Sequence, residues 1–126
     1  MPEAIPLKKK ILVVDDEPLV CEAIGMVLAF DGFEVIAAGD AKEALAIFEP
    51  GKYDLVITDY TMPGMKGDEL ARTIKAKSPR QPVIMVTAHA EMLLATVTPL
   101  AGVDDVVSKP FQFEDLRAAI QKVLAH

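Results

Sequence analysis

Short apolar runs rich in β-branched residues alternate with helix-period segments along most of the chain, and this alternation restricts the fold more than any other feature. The runs are Ile11-Leu12-Val13-Val14, Val35-Ile36-Ala37-Ala38, Leu55-Val56-Ile57 and Val83-Ile84-Met85-Val86, with a weaker fifth at Val106-Val107. Each is continuously apolar, the pattern of strands buried on both faces, as a parallel sheet requires. Between them, Val20, Ala23, Ile24, Val27 and Leu28 repeat with helical spacing after Pro18, a residue suited to a first helical turn. Ala41, Ala44, Leu45 and Phe48 repeat it, opened by Asp40 with Glu43 at capping-box spacing. Leu70, Ala71 and Ile74 begin a third helix that must stop before Ser78-Pro79. Phe113, Leu116, Ile120, Val123 and Leu124 form the last, with Glu114 and Asp115 near its positive end. Ala90 to Leu100 reads as a fourth helix, short or irregular toward its end because Thr96, Val97 and Thr98 are β-branched and Pro99 lacks a backbone donor. Strand and helix alternate five times, which predicts an α/β fold around a central parallel sheet.

At 126 residues and 52% hydrophobic, the chain can bury a substantial core and is too apolar to be disordered. It is expected to form one domain over residues 8–126, preceded by a loose tail at 1–7. No apolar run approaches the roughly 18 to 20 residues that cross a bilayer. The few apolar residues after Lys8, Lys9 and Lys10 are too short a run for a secretory signal. A cytoplasmic protein with no membrane partner is the expectation. The net charge of −6 disfavours direct nucleic-acid binding. Cys21 is the single cysteine, which excludes an internal disulfide and a cysteine zinc site; it reads as a small helix residue at the core.

The polar residues that interrupt the apolar pattern share one position. Asp15 and Asp16 end the first strand, Asp59 the third and Thr87 the fourth, while Lys109 follows the fifth. In a doubly wound sheet all these ends lie at one edge, where ligands bind. Three carboxylates are therefore expected in one crevice with a hydroxyl and an ammonium, and without a counter-charge at least one carboxyl pKa should rise. A hard cation such as Mg²⁺, which takes oxygen ligands, would relieve the repulsion. Taken singly, Asp15 or Asp16 could cap the helix near Pro18 and Asp59 could start the Met62-Pro63-Gly64 turn. Thr87 and Lys109 could be ordinary strand-end and surface residues. Five such residues at the ends of four strands are hard to obtain as unrelated caps and turns.

Val13-Val14-Asp15-Asp16-Glu17-Pro18, Asp59-Tyr60-Thr61-Met62-Pro63-Gly64-Met65-Lys66-Gly67, Thr87-Ala88 and Lys109-Pro110-Phe111 together resemble the signature segments of response-regulator receiver domains. The resemblance runs from about residue 8 to 125. It implies a (βα)5, flavodoxin-like fold with a doubly wound five-stranded parallel sheet of order 2-1-3-4-5. It also implies a phosphoryl-accepting switch of a two-component system that is not an enzyme in the ordinary sense, although it assists its own phosphorylation and dephosphorylation. Asp59 would accept the phosphoryl group from a sensor histidine kinase or a histidine phosphotransfer protein. Asp16, Asp59 and the Thr61 backbone carbonyl would ligate Mg²⁺, with Asp15 acting through water. Lys109 would pair with Asp59 and Thr87 would move toward the phosphoryl group. The resulting change on the face of the fourth helix, fifth strand and last helix would control a downstream protein or a tethered output domain. The Lys109-Pro110 bond would be cis. Thr61 and His89 would influence the lifetime of the acyl phosphate, His89 having an alternative as a loop residue without a role.

Three positions depart from that pattern. Val106 stands where an aromatic residue is usual, so an aromatic toggle would be missing. Pro99 falls in the fourth helix, which puts the usual dimer geometry in question. Lys66 replaces a common acidic residue and reads as a solvated charge. Rival readings are a flavin-phosphate module, disfavoured because Asp15-Asp16-Glu17 repels phosphate, and a phosphohydrolase, disfavoured because Thr61 stands where a second acid is wanted. A degenerate receiver, serving as an unphosphorylated interaction scaffold, is the alternative within the family.

Overall fold

A computed structural model describes residues 9–88 and 102–125. The expected tail at 1–7, the fourth helix at 90–100 and His89 lie outside the described residues. In chain order the elements are β1 (Lys10–Val14), α1 (Pro18–Phe30), β2 (Glu34–Ala38), α2 (Ala41–Ile47), β3 (Leu55–Asp59), α3 (Gly67–Lys77), β4 (Val83–Thr87), β5 (Asp105–Ser108) and α4 (Phe113–Leu124). The five strands form one parallel sheet in the order β2-β1-β3-β4-β5, as expected.

The continuous apolar runs are explained by two cores. On β1, Ile11 and Val13 pack with Ile24 and Leu28 of α1 and with Leu116 and Ile120 of α4. Leu12 and Val14 point the other way, onto Ala41 and Ala44 of α2 and Leu70, Ala71 and Ile74 of α3. Period-two geometry sends successive side chains to opposite faces, so a strand covered on both faces needs every position apolar. This holds for β1, β3 and β4, whereas β2 and β5 are only partly buried. The expectation of burial on both faces fails for these two because they are edge strands, covered by a neighbour on one side only.

Other departures are local. The face of α1 that reaches the core carries Cys21, Ile24 and Leu28, while Ala23 is exposed. The helix is apolar nearly all round, so its pattern does not single out the buried face. Helix α2 ends at Ile47; Phe48 is extended, buried, and stacked on Tyr53 with ring centroids 6.1 Å apart. Pro50 disfavours helical backbone at Glu49, which also limits the helix. Only half of the predicted capping box forms at α2: Asp40 accepts from the Glu43 N–H at 2.7 Å, but the Glu43 carboxylate accepts from Gly39. The reciprocal box is at α4, between Gln112 and Asp115.

Candidate acidic site

The strand register assembles the site. Val14 of β1 pairs with Thr58 of β3, which sets Asp15 beside Asp59 just beyond that pair. Asp59 pairs with Val86, so Thr87 is the next residue out on β4; Thr87 in turn pairs with Ser108, and Lys109 follows. Asp15, Asp59, Thr87 and Lys109 thus step across four adjacent strand ends. The Lys109 N–H donates to the Thr87 carbonyl at 2.8 Å, and the Lys109-Pro110 bond is cis, as the resemblance implies. Between Asp59 and α3 the backbone closes tightly: a Cβ on Gly67 would collide with the Asp59 carbonyl oxygen. Glycine is therefore the residue that lets α3 begin against the end of β3.

Asp15 and Asp59 are 4% and 7% exposed, Thr87 is 1% exposed, and Asp16 is exposed. One carboxylate oxygen from each of Asp15, Asp16 and Asp59 can be chosen so that all lie within 4.8 Å of one another. The Lys109 Nζ sits 3.3 Å from Asp15 Oδ2 and 3.4 Å from Asp59 Oδ2. The Asp15–Lys109 contact was not anticipated from the sequence, which suggested the Asp59 partnership only. Two buried carboxylates with one ammonium within reach share it. Asp15 Oδ1 also accepts from the Glu17 N–H at 2.9 Å, so the turn into α1 uses Asp15 although the N-cap residue itself is Glu17.

Burial pushes the Asp59 carboxyl above the usual carboxylate range and the charge on Asp15 adds to it, while Lys109 and the Thr61 N–H pull the other way. The shift is upward despite the Lys109 counter-charge, and burial rather than carboxylate repulsion is its first cause. For Lys109, burial alone would lower the ammonium pKa, but Asp15 and Asp59 outweigh it and the net direction is up. Thr61 is exposed, two residues beyond Asp59. Val106 is half-buried on β5, opposite Met85. Lys66 is exposed with its Nζ 5.6 Å from the Tyr60 ring centroid, consistent with a surface charge. Cys21 is buried, and its thiol is pushed up by burial and then by Asp15; its Sγ lies 3.4 Å from the Asp15 carbonyl.

A doubly wound five-stranded sheet with a carboxylate trio and a lysine at its carboxyl edge defines a CheY-like, flavodoxin-like receiver fold. The model of the response regulator receiver domain family matches residues 11–121. The chain belongs to this family, a signalling regulator of two-component systems. Among relatives, it is 38% identical over 114 residues to the sensory transduction protein RegX3 of Mycolicibacterium smegmatis, covering 90% of this chain and 50% of that one. It is 35% identical over 115 residues to the DNA-binding response regulator MtrA of the same organism, covering 91% and 50%. The chain therefore spans about half the length of the curated relatives it matches. Among solved structures, a receiver domain protein from Clostridium thermocellum has a TM-score of 0.84 at 33% identity, covering 93% of this chain and 94% of that one. The response regulator TrrA from Thermotoga maritima, solved in complex with Mg²⁺-BeF, has a TM-score of 0.82 at 37% identity, covering 91% and 98%. No helix among the described residues is long and apolar enough to cross a membrane.

Proposed function

We propose that this receiver is a phosphorylation-operated switch with Asp59 as the acceptor. The observation that carries the reading is the placement of Asp59: a buried carboxylate at a strand end, 3.4 Å from the Lys109 ammonium and clustered with Asp15 and Asp16. An Asp59 carboxylate oxygen attacks the phosphorus of a phosphohistidine on a sensor kinase or phosphotransfer protein. The new O–P bond replaces the P–N bond, whose electron pair leaves with the donor imidazole. Lys109 stabilises the negative charge on the transferring group, and Thr87 supplies a hydroxyl beside it. Hydrolysis of the acyl phosphate resets the switch, with Thr61 and His89 tuning its lifetime.

The carboxylate trio fits a hard divalent cation, since it is an oxygen donor set whose one nearby ammonium is shared by two of its members. Asp16, Asp59 and the Thr61 carbonyl would hold Mg²⁺ with Asp15 through water. The ion would supply charge neutralisation at the phosphoryl oxygens. The Mg²⁺ in the TrrA complex supports this choice of metal. In the same reading, residues 8–126 form one domain in the cytoplasm. It acts on a downstream protein or a tethered output domain, with Val106 weakening or altering the coupling.

The reading is tested by thermal melting with Mg²⁺ alone and with Mg²⁺ plus beryllofluoride, a mimic of a carboxyl-bound phosphoryl group. The pair should stabilise wild type more than Mg²⁺ does, because a ligand held only by the folded state shifts the equilibrium. Asp59→Asn should lose that increment. An equal increment in Asp59→Asn contradicts the assignment.

A further inference from the structure

We propose that Cys21 is a positioning residue for the metal ligand Asp16, acting through the peptide that joins Asp15 to Asp16. The inference rests on the Mg²⁺ site proposed above. Cys21 sits in the first turn of α1, buried beneath the end of β1. Its Sγ–H donates to the Asp15 carbonyl oxygen at 3.4 Å, and the sulfur lies 4.0 Å from the Ala38 carbonyl oxygen. The Ala38 carbonyl accepts the Asp15 N–H at 3.1 Å. The thiol therefore lies where the ends of β1 and β2 meet, in contact with both carbonyls.

The Asp15 carbonyl belongs to the peptide plane whose rotation swings the Asp16 side chain. Asp15 is held independently, by Lys109 at 3.3 Å and the Glu17 N–H at 2.9 Å. The Asp16 carboxylate is exposed and has no hydrogen bond or ion pair among the described residues. Its position comes from its backbone. On one side, this loop opens onto a groove of about 610 Å³ lined by Asp15, Asp16, Cys21 and Gly39, so packing from that side does little to restrain the peptide. Among the described residues, Cys21 is the side chain that bonds the carbonyl of this peptide. Removing its hydrogen bond lets the peptide turn, and the cation then pays the ordering of Asp16 on binding.

Calorimetric Mg²⁺ titration of wild type, Cys21→Ala, Cys21→Ser and Ile24→Val separates positioning from packing. Ile24 is buried in the same helix and has no contact of this kind with the loop, so its truncation controls for a weakened core. Cys21→Ala should bind Mg²⁺ about two- to fivefold more weakly, the size expected from one weak hydrogen bond. Cys21→Ser, which retains a donor, should bind more tightly than Cys21→Ala, and Ile24→Val should bind like wild type. Wild-type affinity in Cys21→Ala, or an equal loss in Ile24→Val, overturns the inference while leaving the metal site standing. Absence of Mg²⁺ binding by wild type overturns both.

Discussion

Replacing Asp59 with asparagine should make the metal-free protein more stable at neutral pH, although it removes the proposed acceptor. The substitution keeps the shape of the side chain and deletes a charge that burial and Asp15 already disfavour. At an effective dielectric of about 20, a charge held within 4.8 Å of Asp59 repels it by at least about 3.5 kcal/mol before solvent screening, whereas Lys109 at 3.4 Å attracts it by about 5 kcal/mol. Asp15 and Asp16 both contribute; water screens the exposed Asp16 more strongly. Repulsion therefore roughly matches attraction, and the cost of burial falls on the same side as repulsion. Lys109 keeps Asp15 as a partner in the variant. A gain of about 1 kcal/mol is expected, raising the melting temperature by about 3 to 5 °C for a domain of this size.

The pH dependence has a definite sign. With its folded pKa raised above 3.8, Asp59 holds more protons in the folded than in the unfolded chain across the window between those values. Wild-type stability from this group falls as pH rises through that window, and the penalty is absent below it. The advantage of Asp59→Asn should be larger at pH 7 than at pH 4. It should also shrink in saturating Mg²⁺, which stabilises wild type through Asp59. Melting of both proteins in chelator and in Mg²⁺, at pH 4 and pH 7, gives the comparison. A variant that melts below wild type at pH 7 in chelator, or a gain unchanged at pH 4, refutes the reasoning.

Lys109→Met strips the shared cation from two buried carboxylates and should destabilise the metal-free protein by about 2 to 4 kcal/mol at pH 7, read by chemical denaturation. Asp16→Ala relieves a repulsion that water screens and should leave metal-free stability equal to or slightly above wild type, yet abolish the thermal shift produced by Mg²⁺. Gly67→Ala drives a methyl into the Asp59 carbonyl and should cost about 1 to 3 kcal/mol, visible as a lower denaturation midpoint. Val106→Tyr should change how strongly phosphorylation alters partner binding; identical coupling in both proteins counts against a role for this position.

The sheet and its site were legible because period and position carry them. Runs such as Ile11–Val14 and Val83–Val86 have no polar interruption, and the charged residues fall where the runs stop, so a parallel sheet brings them to one edge. Side-chain partnerships were less legible. That Lys109 touches Asp15 as well as Asp59 depends on a register shared by strands far apart in sequence. The buried face of α1 was misplaced at Ala23, because Leu19, Met26 and Phe30 are exposed apolar residues that blur the helical period. Cys21 carried no signal beyond its small size; its bond to the Asp15 carbonyl emerges only when α1 packs beneath β1. Edge strands β2 and β5 also look like interior strands until the order of the sheet is known.

Intact mass after incubation with a small phosphodonor, with and without Mg²⁺, on wild type and Asp59→Asn, tests the central claim most directly. The account predicts one Mg²⁺-dependent phosphoryl addition to wild type and none to the variant. An equal addition to Asp59→Asn, or addition to wild type that ignores Mg²⁺, contradicts it.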